Sequence, residues 1–449
     1  MINKITVLEE TIVKLAEAKK YASLRDLLAT LNPADIAEAF GNVSDQTLPL
    51  VFRLLPKELA AETFVEMETE QQEILIRGFS DSELKAVVEE LYVDDAVDLV
   101  EEMPANVVSR ILAQADPDTR KMINDILKYP EDSAGSVMTT EMVELQGRMT
   151  AAEAIEHIRK VGVDKETINT CYITGRTHKL KGVISIRSLI LADPEALCQD
   201  LMTPTVVAVN TLEDQETVAQ MFSKYNFNAL PVVDGDERLL GIVTMDDAMD
   251  IMEEEATEDM EKMAAILPSD RPYLSTTVWD IFKQRIPWLL ALMAASLLTG
   301  LIITGFADVL MASVALVATI PLLMDSGGNA GSQTSVTVIR GLSLQEVEPK
   351  DILRVIWKEF RVALLCGIPM AVLIFGKLML LDGQTVPVSA TVSLALLCTI
   401  LLSKIVGCSL PILAKRLGFD PALLASPIVT TIVDIVSLLI YILLISVIL

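Results

Sequence analysis

Five apolar segments, at 287–306, 309–338, 362–381, 386–413 and 423–449, dominate the chain from Pro287 onward. A bilayer core is spanned by about 20 apolar residues, so each segment is long enough to cross one. Inside lipid every backbone N–H and C=O has to be paired within the protein, which restricts spanning apolar segments of this kind to helices. The spacing therefore predicts a bundle of five transmembrane helices. The second segment is divided by a glycine-rich stretch, Asp-Ser-Gly-Gly-Asn-Ala-Gly-Ser-Gln, at 325–333.

Polar residues inside these segments are few enough to weigh singly. A carboxylate at membrane depth costs at least ~2.5 kcal/mol and by default marks an ion path. Two such residues are present, Asp325 beside the glycines and Asp434 midway along the last segment. Thr430 and Thr431 precede Asp434 by one helical turn, an arrangement suited to holding a hydrated ion by charge while hydroxyls bind its water shell. Magnesium sheds water reluctantly and prefers hard oxygen donors, so a sparse oxygen site suits it better than it suits calcium. The competing reading pairs Asp434 with Lys404 of the fourth segment, because a lysine at that depth also needs a partner. Asn329, a polar side chain among small residues, reads as pore lining. Gly327, Gly328 and Gly331 read either as close helix packing or as backbone exposed to a pore.

Charge divides the chain at the same place. Residues 284–449 carry 10 Lys and Arg against 9 Asp and Glu, which leaves 26 and 53 for residues 1–283. So acidic a module repels nucleic acid and anionic lipid, and binds counter-cations where its carboxylates converge. Divalent metal is the expected partner. Cys171, Cys198, Cys366, Cys398 and Cys408 form no Cys-x-x-Cys pair, so neither a disulfide framework nor a thiolate metal site is indicated. The first residues lack the uninterrupted apolar run of a signal peptide, and the large acidic part is expected to stay cytosolic. Arg340, Lys350, Arg354, Lys358 and Arg361 fill the connection after the second segment, and Lys415 and Arg416 that after the fourth. By the positive-inside rule the N-terminal part is cytoplasmic and, with five spans, the C-terminus lies outside the inner (cell) membrane. His157 and His178 are the only histidines; no nucleophile or metal-hydrolase motif accompanies them, so the reading is not an enzyme.

The soluble part has two textures. Residues 5 to about 130 read as short amphipathic helices around Asp35, Glu58 and Asp94, punctuated by Asn-Pro, Leu-Pro and Met-Pro steps that interrupt helices. Their irregular recurrence suggests stacked helical repeats. From Ser136 strands and helices alternate, twice: Ser-Val-Met-Thr-Thr is answered by Asp-Leu-Met-Thr-Pro, and Leu-Lys-Gly-Val-Ile-Ser by Leu-Leu-Gly-Ile-Val-Thr. This tandem pattern resembles a pair of CBS domains, which implies an adenine nucleotide such as ATP as a candidate ligand. Ser185, Arg187 and Thr244 stand at positions of that pattern, but Ser188 replaces the acidic residue that Asp247 supplies in the second repeat, which argues against the nucleotide. Next, Asp246 to Met263 has helical spacing with Asp247, Asp250, Glu254, Glu258 and Glu261 on one face and Glu255 and Asp259 beside it. A metal-responsive helix joining the repeats to the membrane is expected.

Tyr-Pro-Glu-Asp-Ser-Ala-Gly at 129–135, Glu-Ala-Thr-Glu-Asp at 255–259, Gly-Gly-Asn-Ala-Gly-Ser-Gln at 327–333 and Arg-Leu-Gly-Phe-Asp-Pro-Ala-Leu at 416–423 resemble phrases of the MgtE family of magnesium transporters. The resemblance covers essentially the whole chain. It implies a multidomain fold: a superhelical α-helical N-domain (1–130), α+β tandem CBS domains (131–200 and 201–252), a long connecting or plug helix (253–283) and a five-helix transmembrane domain (284–449). It further implies a homodimer importing magnesium down its electrochemical gradient, with Asp434 as the pore carboxylate. Cytosolic magnesium would bind at Asp94, Asp98, Asp214, Glu216, Asp247, Asp250, Glu255, Glu258 and Asp259, drawing the domains together and closing the pore. Asn226 and Ser426 depart from residues of some relatives, an acidic sensor ligand and a pore Asn. Cobalt, nickel and manganese remain open as further cargo. The alternative from another class is a membrane-anchored regulatory protein sensing a nucleotide through its CBS pair.

Overall fold

The structure is a computed structural model and describes residues 2–41, 43–269, 273, 274, 276–310, 313–424 and 426–448. It contains two compact units, Met1–Ile251 and Met252–Leu449.

The first unit opens with ten helices: α1 (Ile2–Glu17), α2 (Tyr21–Leu28), α3 (Pro33–Phe40), α4 (Leu48–Phe52), α5 (Lys57–Val65), α6 (Thr69–Gly78), α7 (Asp81–Val88), α8 (Val93–Glu102), α9 (Ala105–Gln114) and α10 (Pro117–Ile126). The prolines start helices as well as interrupt them. Pro33 is the first residue of α3, whose N-cap Asn32 accepts the Ala34 N–H, and Pro117 follows the N-cap Asp116 of α10. The helices pack on their next-but-one neighbours, α1 on α3, α3 on α5, α5 on α7 and α7 on α9. This pattern is that of a helical superhelix, and Leu24, Phe40, Val51, Phe64, Leu75, Leu84 and Val97 form a continuous core along it.

The tandem repeat follows as two sheets of the same topology. Strands β1 (Glu144–Gln146) and β2 (Thr170–Thr174) are parallel and β2 pairs antiparallel with β3 (Leu180–Ser185). In the second sheet β4 (Val209–Asn210) and β5 (Ala229–Val233) are parallel and β5 pairs antiparallel with β6 (Leu239–Thr244). The ladder slips at the same place in both, between Ile173 and Thr174 and between Val232 and Val233, as expected of one unit used twice. Helices α11 (Ala151–Val161), α12 (Ile186–Leu191) and α13 (Cys198–Leu201) belong to the first repeat, and α14 (Gln215–Tyr225) to the second. The paired Met-Thr phrases cross over. Thr139 bridges Ile242 of the second repeat and Thr203 bridges Val183 of the first. A Cβ on Gly241 would lie 2.5 Å from the Thr139 carbonyl oxygen, and one on Gly182 2.5 Å from Met202 Sδ, so both strands need glycine for the crossing chain to lie flat on them.

Helix α15 (Met245–Met263) continues from β6. The acidic helix thus starts inside the second repeat and ends well short of residue 283. Ala265 takes a left-handed conformation, with the Ala265 N–H on the Lys262 carbonyl and the Ile266 N–H on the Glu261 carbonyl, the double bond pattern that closes a helix.

The second unit contains α16 (Val278–Gly305), the short α17 (Ala307–Leu310) and α18 (Val314–Ala318), then α19 (Ile320–Ser343), α20 (Ile352–Leu380), α21 (Val386–Leu417) and α22 (Ser426–Ile448). Among the described residues four helices are long and apolar enough to cross a membrane: α16, α20, α21 and α22. The expected fifth, at 309–338, is divided: its first part forms short helices, and the 24-residue α19 carries the glycines and polar residues that lower its hydropathy. At about 1.5 Å per residue α19 is still about 36 Å long. It packs on both α21 and α22, and α20 packs on α21.

Candidate functional site

Small residues set the geometry around α19. Gly327, Gly328 and Gly331 are buried. A Cβ on Gly327 would meet Thr399 Cγ2 at 2.6 Å, one on Gly331 would meet Val429 Cγ1 at 2.9 Å, and one on Gly407 of α21 would meet the Gly331 carbonyl oxygen at 2.3 Å. Of the two readings of these glycines, close packing is the one supported. The same helix leaves Asp325, Asn329 and Gln333 exposed at four-residue intervals, one polar stripe on the face turned away from α21.

The partner of Lys404 is not Asp434. Lys404 is buried, its Nζ donating to Thr334 Oγ1 at 3.0 Å and lying 3.5 Å from Glu359 Oε2 of α20. Thr334 Oγ1 in turn donates to Glu359 Oε2 at 3.0 Å. The structural pairing considered for Asp434 is therefore overturned, and Glu359, which the sequence analysis did not single out, neutralises the lysine. Asp434 is half-buried on α22 with Asp325 within electrostatic reach. The Thr430 and Thr431 hydroxyls both donate to the Pro427 carbonyl, at 2.9 and 2.8 Å. With their protons committed, the two oxygens remain acceptors, the role that waters around a cation, which donate outward, require. Ser426 Oγ bonds Ser332 Oγ at 2.8 Å and ties the start of α22 to α19.

In the first unit, carboxylates gather where α8 meets the start of α15. Asp94 is buried, and desolvation, followed by the charges of Asp247, Asp95 and Glu166, raises its pKa well above the usual carboxylate value. Burial and then Asp247 push Asp95 up to about 7 and Asp98 up to about 8. Burial, Asp95 and Asp247 raise Glu166 to about 8, and Asp247 itself is raised by burial against the Thr244 hydroxyl, which donates to its Oδ2 at 2.5 Å. Glu141 joins them by accepting the Val93 N–H at 3.3 Å and the Thr139 hydroxyl at 2.6 Å. The structure thus brings Asp94, Asp98 and Asp247 together and adds Asp95, Glu141, Glu166 and Asp246. Asp95 was legible as the neighbour of Asp94; Glu141 and Glu166 come from the first repeat, and only the tertiary fold places them here.

The remaining carboxylates lie elsewhere. Asp214 caps α14 by accepting the Glu216 N–H at 2.9 Å, and Glu216 Oε1 accepts from Gln220. Asp250 adds its charge to Asp247, from the next turn of α15. In the second unit Glu255 is on the part of α15 that ends beside the membrane bundle. There Lys262 Nζ bridges Glu258 at 2.6 Å and Asp420 at 2.8 Å, and Asp259 accepts the Ser343 hydroxyl at 3.2 Å. Burial and then the Asp420 charge raise the pKa of Asp259. Met263 packs on Ile339 and Ala422. Asp420 lies inside the phrase at 416–423 yet was not picked out. Gly418 ends α21 at φ +80° and turns the chain so that Asp420 reaches Lys262.

Of the nucleotide positions, Ser185 caps α12 and bonds Ser188 Oγ at 2.8 Å, Arg187 is exposed, and the Thr244 hydroxyl is committed to Asp246 and Asp247. Asn226 takes a left-handed conformation at the end of α14. Among the described residues no three His, Cys, Asp or Glu side chains converge closely enough to chelate one ion directly. The donor set nonetheless fits magnesium, which keeps several of its waters and takes one or two carboxylates directly.

An acidic soluble module followed by a helical membrane bundle with carboxylates at its glycine-rich heart defines a divalent cation transporter, and the profile of that description matches residues 320–444. The profile of the MgtE intracellular N domain matches residues 31–132 and that of the CBS domain residues 198–254. The chain is 36% identical over 440 residues to the magnesium transporter MgtE of Thermus thermophilus, covering 96% of this chain and 97% of that one. It is 33% identical over 430 residues to the magnesium transporter MgtE of Bacillus subtilis, covering 96% and 95%. The chain belongs to the MgtE family of magnesium transporters. Its soluble part is similar to a crystal structure of the cytosolic domain of the Mg2+ channel MgtE in complex with ATP, at 36% identity and a TM-score of 0.51, over 54% of this chain and 99% of that one. It is also similar to the soluble part of a magnesium transporter, at 28% identity and a TM-score of 0.53, over 56% and 99%.

Proposed function

We propose that this chain admits magnesium down its electrochemical gradient along α19 and α22, as a homodimer, and that cytosolic magnesium closes the path. The observation that carries the reading is the pairing of Lys404 with Glu359. It leaves the Asp434 carboxylate, facing Asp325, as charge available to a cation rather than to a lysine. The polar stripe of Asp325, Asn329 and Gln333 is costly against lipid and is accounted for by a second copy enclosing a wet path. Five crossings, with α19 counted as one, put the C-terminus outside and the acidic module in the cytoplasm.

Magnesium held by Asp94, Asp98 and Asp247, with Asp95, would offset the mutual repulsion of carboxylates that burial leaves without a cationic neighbour. Asp214, Glu216, Asp250 and Glu255 are further sensor carboxylates in this reading, and Glu258 and Asp259 of α15, docked near Asp420 and the end of α19, carry the closing signal to the path. ATP binding by a similar cytosolic domain makes a nucleotide a second regulator to test, at Ser185, Arg187 and Thr244. A bare anchor has no use for a polar stripe and an uncompensated carboxylate, which disfavours the anchored-sensor alternative.

The test is magnesium flux into proteoliposomes. Asp434→Ala is expected to abolish uptake at wild-type protein levels, and unchanged uptake removes Asp434 from the path. Protease protection across residues 130–260 is expected to rise with millimolar magnesium; equal cleavage in chelator overturns the closed, ion-bridged state.

A further inference from the structure

Helix α19 carries the polar stripe, and at 327–331 the opposite face is nearly bare of side chains, between the buried Leu323 on one side and Val338 and Leu342 on the other. Gly327 and Gly331 offer no side chains of their own and receive Thr399 and Ser403 of α21 and Val429 and Val433 of α22, apolar and hydroxyl contacts that set separation and carry no charge. Polar anchors follow them: Ser332 bonds Ser426 of α22, and Thr334 holds the only charged contact among the described residues of this helix face. Thr334 is buried, about 100° around the helix from the exposed Gln333, and its hydroxyl lies between Lys404 Nζ at 3.0 Å and Glu359 Oε2 at 3.0 Å. The Lys404 and Glu359 side chains are only 7% and 15% exposed, so neither charge is solvated by bulk water. An ion pair this enclosed tolerates one geometry, since moving any of the three groups leaves a charge or hydroxyl unsatisfied in an apolar bundle.

We infer that Lys404, Glu359 and Thr334 form a clamp that sets the rotation of α19 and so turns Asn329 and Gln333 toward the ion path. They are positioning residues: none touches the cargo, and the clamp acts through the orientation of its neighbours on α19. Three helices, α19, α20 and α21, meet at this point, so the clamp also ties the stripe to α20. The inference rests on the reading of α19 as a wall of the path.

The test reads orientation directly. In full-length protein with Cys366→Ser and Cys398→Ser, Gln333→Cys is exposed to a charged, water-soluble methanethiosulfonate, with and without the paired change Lys404→Met plus Glu359→Met. Replacing a buried pair by apolar residues of similar size usually preserves folding, and elution and melting confirm it. Labelling of residue 333 is expected in the intact clamp and to slow at least fivefold in the paired variant. Thr334→Val, which removes only the bridging hydroxyl, is expected to shift half-saturation for magnesium flux at least threefold, with rescue by Thr334→Ser. A merely structural pair predicts unchanged labelling and unchanged half-saturation in every variant that folds, and that result overturns the clamp while leaving the path intact. Failure of Gln333→Cys to label in the intact protein overturns the path along α19 and the clamp with it. If the paired variant does not fold, Thr334→Val decides alone: wild-type half-saturation refutes the inference.

Discussion

The closest backbone approach found around α19 supplies a quantitative prediction. Replacing Gly407 by alanine puts a Cβ 2.3 Å from the Gly331 carbonyl oxygen, 3.1 Å from its carbonyl carbon and 3.2 Å from its Cα. Real Cβ atoms essentially never come within 3.0 Å of a neighbour, so α19 and α21 have to part by at least about 0.7 Å at this level. The atoms struck are backbone and have no rotamer to yield. Overpacking costs about 1–3 kcal/mol, and a rigid obstacle belongs at the upper end, about 3 kcal/mol. Alanine returns up to about 1 kcal/mol of helix propensity, leaving a net loss of about 2 kcal/mol. For a unit of this size that corresponds to a melting point lower by about 4–8 °C.

The assay pairs thermal melting of detergent-purified protein with magnesium flux in liposomes. Gly376→Ala on α20 is the control, because a Cβ there meets nothing within 4 Å. Gly407→Ala is expected to melt lower and to lose flux severalfold, since α19 cannot separate from α21 without carrying Asn329 and Gln333 along. Gly376→Ala is expected to melt no lower than wild type and to transport normally. A Gly407→Ala protein that melts within 1 °C of wild type and transports normally would refute the claim that this contact fixes α19.

Three further outcomes follow from the soluble elements. Asp94→Asn combined with Asp247→Asn removes two charges from the most desolvated part of the acidic cluster; melting in chelator is expected to rise and the additional rise produced by millimolar magnesium to shrink, and a full magnesium-dependent rise would count against the cluster as sensor. Asp420→Asn breaks the 2.8 Å bridge to Lys262; a higher magnesium concentration is expected for half-inhibition of flux from the cytosolic side, and an unchanged value removes this bridge from the gate. Glu83, held at about 2 rather than 4.5 by Arg53 and by the Ser80 backbone N–H, binds fewer protons folded than unfolded between those values. Its contribution is therefore complete above about pH 4.5 and lost as the pH falls through about 2, and after solvent screening it is at most about 1 kcal/mol. Hydrogen exchange of α7 is expected to lose this acid sensitivity in Glu83→Gln, and persistence of the full acid response would assign it to other groups.

The parts of this protein legible in its sequence are those in which local chemistry repeats. The tandem sheets announce themselves because the same Met-Thr and Leu-x-Gly phrases occur twice, and the two crossings, Thr139 onto Ile242 over Gly241 and Thr203 onto Val183 over Gly182, explain a glycine in each. The acidic face of α15 is legible from a 3.6-residue period alone. Five segments of membrane length are legible, but of the described helices only four are apolar throughout, because the small and polar residues that let α19 approach α21 and α22 lower its hydropathy.

Electrostatic pairing was beyond reach for a different reason. Lys404 and Asp434 are both single charges in apolar sequence, and composition offers each the other as a partner. The structure gives Lys404 to Glu359, a residue on the N-terminal part of α20 surrounded in sequence by Lys358 and Arg361 and easily read as one more surface charge. That choice leaves Asp434 under the charge of a second carboxylate, Asp325. Two carboxylates held near each other in an apolar bundle repel, and a divalent cation is the species that relieves both at once. In the proposed path the chemistry thus depends on a lysine that does not line it: were Lys404 to reach Asp434, that carboxylate would be neutralised internally and would offer a cation no charge.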